Sequence, residues 1–260
     1  MTLLRSLAMA FSTFSRIPVP QVSWEERSMR YLMAFFPLIG AVIALLLWLW
    51  YFICDLLLFD MTLRAAGVTL IPVLVTGAIH LDGFCDVVDA LSSHAEPERR
   101  REILKDPHIG AFAAVAVAAY LLAFFAFAMN LTGLAEGTLL VLVGCIFVVS
   151  RCMSSLATTC FPLSATKGML SKFHESAETK RVVAAVIVEL VVVAAVMVWA
   201  QPLCALVELV CAFVVLACVR QMSRYSFGGM SGDIAGFLLQ VAELCMLAGL
   251  VVTVKVMMLL

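Results

Sequence analysis

The residues best suited to chemistry fall in one ten-residue stretch, His80-Leu81-Asp82-Gly83-Phe84-Cys85-Asp86-Val87-Val88-Asp89. In a helix Asp82, Asp86 and Asp89 stand at i, i+4 and i+7, which sets three carboxylates along one face. Clustered anions repel one another, and beside an apolar segment the repulsion and the desolvation are costly unless a cation is bound. The pattern therefore predicts a metal site, and all-oxygen ligands suit Mg²⁺ or Mn²⁺ rather than zinc. A helix N-cap and a solvated first turn would account for one such Asp. They do not account for three. His80 reads as a ligand, a proton acceptor or a polar residue at the interface.

Two further clusters carry polar chemistry. In Ile103-Leu104-Lys105-Asp106-Pro107-His108-Ile109-Gly110, Asp106 can add a metal ligand and Lys105 can meet a phosphate; a capped helix start with Pro107 near its first turn is the structural alternative. In Phe227-Gly228-Gly229-Met230-Ser231-Gly232-Asp233-Ile234-Ala235-Gly236 the glycines allow backbone amides to approach an anion. A following helix N-terminus would make Gly229, Ser231 and Gly232 a phosphate cradle. Asp233 reads as a metal ligand or as the N-cap of that helix. Glu243 lies deeper in the same segment, and an ionisable residue at such depth is a candidate for substrate contact. Glu189 and Glu208 raise the same question in other apolar stretches, and Arg151 is either their partner or a substrate-phosphate ligand.

The elements that must position these groups are set by composition. Of 260 residues, 64% are hydrophobic and 13% charged, against about 45–50% and about 25% in soluble domains. Apolar stretches of bilayer-spanning length recur from end to end, which excludes an ordinary soluble enzyme and predicts an all-α polytopic integral membrane protein. Seven spans are read at 32–54, 62–80, 109–129, 137–160, 182–200, 203–219 and 235–258. The link at Gln201-Pro202 reads as a helical hairpin or as a kink. Before the first span, Leu3, Leu7, Phe11 and Phe14 recur at helical spacing, as in an interfacial helix on the membrane surface, and Ile17-Pro18-Val19-Pro20 ends it. No small-residue cleavage site precedes Arg16, so no signal peptide is read. With no internal repeat or linker, residues 1–260 read as one membrane-embedded domain. Nine scattered cysteines without a CxxC pair read as small buried hydrophobes.

Charge supplies the orientation. Arg5, Arg16, Arg27 and Arg30 precede the first span, Arg99, Arg100, Arg101 and Lys105 follow the second, Lys167, Lys172, Lys180 and Arg181 follow the fourth, and Arg220 and Arg224 follow the sixth. Only Arg64 and Lys255 fall on the other side. By the positive-inside rule the N-terminus and the motif-bearing loops are cytoplasmic and the C-terminus is outside. Seventeen basic and 18 acidic residues leave no basic excess for a nucleic-acid partner.

Taken together, the segments 14–20, 35–40 and 80–89, Lys105-Asp106 with Gly110, and 228–233 with Glu243 closely resemble the cobalamin synthase, or adenosylcobinamide-GDP ribazoletransferase, family across nearly the whole chain. The resemblance implies a transferase of vitamin B12 nucleotide-loop assembly in a bacterial inner membrane. Adenosylcobinamide-GDP would be the donor and α-ribazole or its 5′-phosphate the acceptor, giving adenosylcobalamin or its 5′-phosphate and GMP. A ribose hydroxyl would attack the cobinamide-linked phosphorus, with one or two Mg²⁺ ions stabilising the charge that develops. Asp82, Asp86 and Asp89 would hold metal, completed by Asp106 or Asp233, while a carboxylate such as Asp89, or His80, takes the proton. Two alternatives stand beside it. A membrane nucleotide-alcohol phosphotransferase of another pathway also uses clustered aspartates, but the Ala-Arg pair and full spacing of that motif are missing. A cation-coupled transporter would favour paired inverted halves, and none is visible. A homo-oligomer is left open.

Overall fold

The computed structural model describes residues 2–164 and 169–260; Lys167, one of the orientation-setting basic residues, lies outside them. All regular structure among the described residues is helical, and the one β-type pairing is an isolated parallel bridge between Leu163 and Met230. The chain runs α1 (Thr2–Phe14), α2 (Glu26–Met29), α3 (Leu32–Leu56), α4 (Met61–Thr76), α5 (Ile79–Ser92), α6 (Pro97–Ile103), α7 (Ala111–Ala128) and α8 (Glu136–Cys160). It continues with α9 (Met169–Ser176), α10 (Thr179–Ala200), α11 (Pro202–Met222), a π-helical turn (Ser223–Phe227) and α12 (Gly232–Leu259). Six helices are long and apolar enough to cross a membrane, and the number is seven if the bent pair α4 and α5 counts as one broken span rather than a re-entrant segment. The protein is an all-α, multi-pass membrane protein.

α8 forms the axis of the bundle. It is buried over 83% of its apolar stretch and packs on α3, α10, α11 and α12, whereas α7 and α10 are buried over only 22% and turn broad apolar faces outward. An outer face of Ile187, Val188, Val191 and Val192 is what lipid requires of a helix that water would not tolerate. The reversal at Gln201 is a hairpin. Its backbone is extended and its side chain accepts a hydrogen bond from the Leu203 amide, so α10 ends and α11 begins on one residue.

One expectation is corrected. The span read at 62–80 stops at Thr76, because Gly77 and Ala78 both take left-handed backbone (φ 62° and 64°) and α5 leaves at 93° to α4. Gly77 is a helix-terminating residue of the usual kind; the following Ala78, at the same φ, turns the chain further. The carboxylate motif therefore rides its own helix. On α1 the buried face is Ser6, Met9 and Ala10, packed on α3, while Leu3 and Leu4 are 58% and 71% exposed. Of the stripe read at Leu3, Leu7, Phe11 and Phe14, Leu3 turns outward while Phe11 and Phe14 pack against the core.

Candidate active site

α5 and α12 cross closely at the end of the bundle where α1, α6 and α9 also gather. Gly83 makes the crossing. A Cβ there would lie 2.8 Å from both the Cα and the carbonyl oxygen of Asp233. This approach sets the acidic face of α5 against the first turn of α12, and Asp82, Asp86 and Asp233 feel one another's charge. Beside them opens a cavity of about 710 Å³. Its polar wall includes Asp82, Asp233, Ser231, Gly232, Arg101 and Lys105. Its lining also includes an aromatic group, Phe14, Phe36 and Phe173, with His80 among them.

His80 is 6% exposed and lies between rings, 6.1 Å from Phe14 and 5.5 Å from Phe36 between centroids. Its Nε2 has no hydrogen-bond partner among the described residues. A buried polar atom without a partner, on the wall of a cavity, is a group arranged for a ligand.

Several expected site residues have other employment. Both oxygens of Asp89 accept backbone hydrogen bonds, Oδ2 from Gly110 at 2.6 Å and Oδ1 from Ala113 at 2.9 Å. It caps the N-terminus of α7 from a distance, where a carboxylate is favoured by the helix dipole. Asp106 does not join the other carboxylates. It is exposed and bonds the backbone amide and the ring of His108, at 3.0 and 2.7 Å, which holds its carboxyl below the ordinary range. Gly229 is a packing residue rather than an open cradle. Its φ is 148°, and a Cβ would meet the Leu163 carbonyl carbon at 2.5 Å. The loop amides are also taken, Gly229 N–H by Ser223 O and Met230 N–H by Pro162 O. The N-cap of α12 is Ser231, whose Oγ accepts from the Ile234 amide, and not Asp233. Ser231 and Gly232 still present the start of α12 to the cavity.

Arg151 and Glu243 are not on the cavity wall. They pair with each other at 2.6 Å, 1% and 2% exposed, and Glu243 also accepts from Ser150 Oγ at 2.9 Å. The Arg151 Nη1 donates to Phe147 O as well, and its guanidinium lies near the Phe36 and Phe147 rings. The reading of Arg151 as partner to Glu189 and Glu208 is overturned. Glu208 is fully buried with neither oxygen partnered, and Glu189 Oε2 is also unpartnered among the described residues. From sequence Arg101 enters only the orientation argument. It lines the cavity, bonds Glu98 at 2.8 Å and reaches the Phe227 carbonyl at 3.4 Å. Its position five residues after the N-cap of α6 gave no signal of this, because the contact is made across the fold.

The donor set around Asp82, Asp86 and Asp233 is all oxygen, which suits a hard divalent cation. Among the described residues no three His, Cys, Asp or Glu side chains stand close enough to hold a metal ion by themselves.

A polytopic helical membrane protein is defined here, with one cavity at the bundle end that joins carboxylates, basic side chains and a helix N-terminus to an aromatic wall. The chain belongs to the cobalamin-5-phosphate synthase family, whose sequence model matches residues 6–251. A relative from Lachnoclostridium phytofermentans, named adenosylcobinamide-GDP ribazoletransferase, is 40% identical over 251 residues, covering 96% of this chain and 94% of its own. Relatives of the same name from Desulfitobacterium hafniense and Clostridium botulinum are 33% and 30% identical, covering 95% and 93% of this chain and 96% and 95% of their own. No solved structure matches.

Proposed function

We propose that the chain is an adenosylcobinamide-GDP ribazoletransferase. It joins adenosylcobinamide-GDP to α-ribazole or α-ribazole 5′-phosphate and releases GMP with adenosylcobalamin or its 5′-phosphate. The observation that carries this reading is the single cavity in which Asp82, Asp233, Lys105, Arg101 and the start of α12 face an aromatic wall, in a chain similar to these transferases over nearly its full length. A ribose hydroxyl forms the new O–P bond, the bridging P–O bond to GMP breaks, and the hydroxyl proton passes to a base in the cavity. His80 fits that part, since its Nε2 is unpartnered and the residue lines the same cavity as Asp82. Lys105, Arg101 and the N-terminal end of α12 bind and orient the pyrophosphate. Two of the carboxylates among Asp82, Asp86 and Asp233, together with the substrate pyrophosphate, would hold Mg²⁺ or Mn²⁺, which supplies positive charge to the oxygens on which charge builds. Asp89 contributes by fixing α5 against α7 rather than by touching substrate.

On this reading the reaction runs on the cytoplasmic face of a bacterial inner membrane. In support, the basic residues Arg16, Arg30, Arg101, Lys105, Arg181 and Arg220 gather at the cavity end. Arg64 binds Asp55 and Glu136, and Lys255 binds Thr132, at the other. The test is corrinoid product formation by purified protein with both substrates, with and without Mg²⁺, beside Asp82→Asn. We expect Mg²⁺-dependent product and GMP, reduced about 10²–10³-fold in the variant, the scale for removing one group that stabilises developing charge. Full activity in folded Asp82→Asn protein would remove the metal site, and uptake without product formation would favour a transporter.

A further inference from the structure

The polar wall of the cavity has a role in the transfer, but the aromatic wall does not yet. Phe14, on α1, meets Phe36 of α3 at 4.5 Å, the His80 ring at 6.1 Å in a stacked arrangement and Phe173 of α9 at 6.5 Å edge-on. Phe173 is 4% exposed and is backed by Trp24, stacked at 6.1 Å and 15°. Four separate segments thus converge on one aromatic surface. These separations lie within the range of favourable ring contacts, so the rings hold one another in fixed orientations. Besides His80 Nε2, the Thr13 Oγ1 on the same cavity has no partner among the described residues.

We propose that this wall seats the base of the acceptor nucleoside, and that Phe14, Phe36 and Phe173 determine which acceptor is used. The proposal rests on the ribazoletransferase reading. Both substrates of that reaction carry a flat base, and the wall discriminates between them. The base of ribazole is a benzimidazole, a fused ring whose polar capacity is one ring nitrogen. Guanine has a carbonyl, an amine and several ring nitrogens, and most of these would be buried against phenyl rings without partners, a large penalty. A base stacked beside His80 also brings its ribose to the junction between the aromatic wall and Asp82, where the attacking hydroxyl is needed.

The test uses the full-length purified protein and Phe173→Leu, which keeps an apolar side chain and removes the ring. We expect the KM for α-ribazole 5′-phosphate to rise about tenfold, the loss expected for one base-stacking contact (about 1.4 kcal/mol), with the KM for adenosylcobinamide-GDP changed less than about twofold. An equal rise for both substrates, or no rise for the acceptor, overturns the proposal. A second measurement does not depend on the variant. Wild-type protein is titrated with α-ribazole, read by its benzimidazole fluorescence, in the absence of donor. Saturable binding that GDP does not displace supports the assignment; displacement by GDP overturns it. Ribazole binding without any corrinoid product would leave the aromatic site standing and sink the transferase reading, whereas absence of both sinks the two together.

Discussion

Replacing Glu243 by glutamine leaves the Arg151 guanidinium buried without its counter-charge. The pair is 1% and 2% exposed and bonded at 2.6 Å, with Ser150 and the Phe147 carbonyl completing the set, so water cannot relieve the loss. Breaking one side of such a pair costs about 3–5 kcal/mol. For a chain of this size each kcal/mol moves Tm by about 2 °C or slightly more, so Glu243→Gln should lower the melting temperature in detergent by about 6–10 °C. The KM for either substrate, measured well below that temperature, should stay within about twofold, because neither side chain reaches the cavity. The double replacement Arg151→Met with Glu243→Leu removes both charges at similar volume and should recover most of the lost Tm, since an apolar substitute for a buried pair is often neutral. A Glu243→Gln protein with unchanged Tm and a raised KM would refute this reasoning and return the carboxylate to the substrate.

Asp89→Ala removes the cap of α7 and should lower Tm by about 2–4 °C, for a loss of about 1–2 kcal/mol. Mg²⁺-dependent product formation should persist in it at a much higher level than in Asp82→Asn; equal loss in the two variants would make Asp89 a ligand after all. Gly83→Ala forces a Cβ to within 2.8 Å of the Asp233 backbone, so α5 and α12 must separate. Overpacking of that kind costs about 1–3 kcal/mol, and activity should fall far more than Tm, since the displaced pair is Asp82 and Asp233; a fully active Gly83→Ala would show that the close crossing is unimportant.

Much of the architecture was legible because a bilayer imposes it. The apolar stretches beginning near residues 32, 109, 137, 182, 203 and 235 all appear as helices whose ends move by three residues or fewer. The break at Gly77-Ala78 was not seen, because hydropathy runs smoothly across it while the backbone conformation does not. Periodicity also placed Asp82, Asp86 and Asp89 on one helix correctly. It could not separate their partners, because the amides that occupy Asp89 come from residues 110 and 113, and the neighbour that matters to Asp82 is Asp233. Arg151 and Glu243 were each conspicuous as buried charges, yet 92 residues separate them and several other carboxylates competed for the arginine. The aromatic wall was the least visible feature, since residues 14, 36, 80 and 173 share no periodicity.

The short α4 has a further consequence. At 16 residues it rises about 24 Å, while the hydrocarbon layer it stands in is about 30 Å deep. A segment that falls short in this way is accommodated by local thinning of the bilayer or by headgroups drawn inward. Because α5 turns off at the foot of α4, that dip lies beside the carboxylate helix. A membrane surface lowered there would let water-borne, multiply charged molecules come to a site anchored among apolar helices without entering oil.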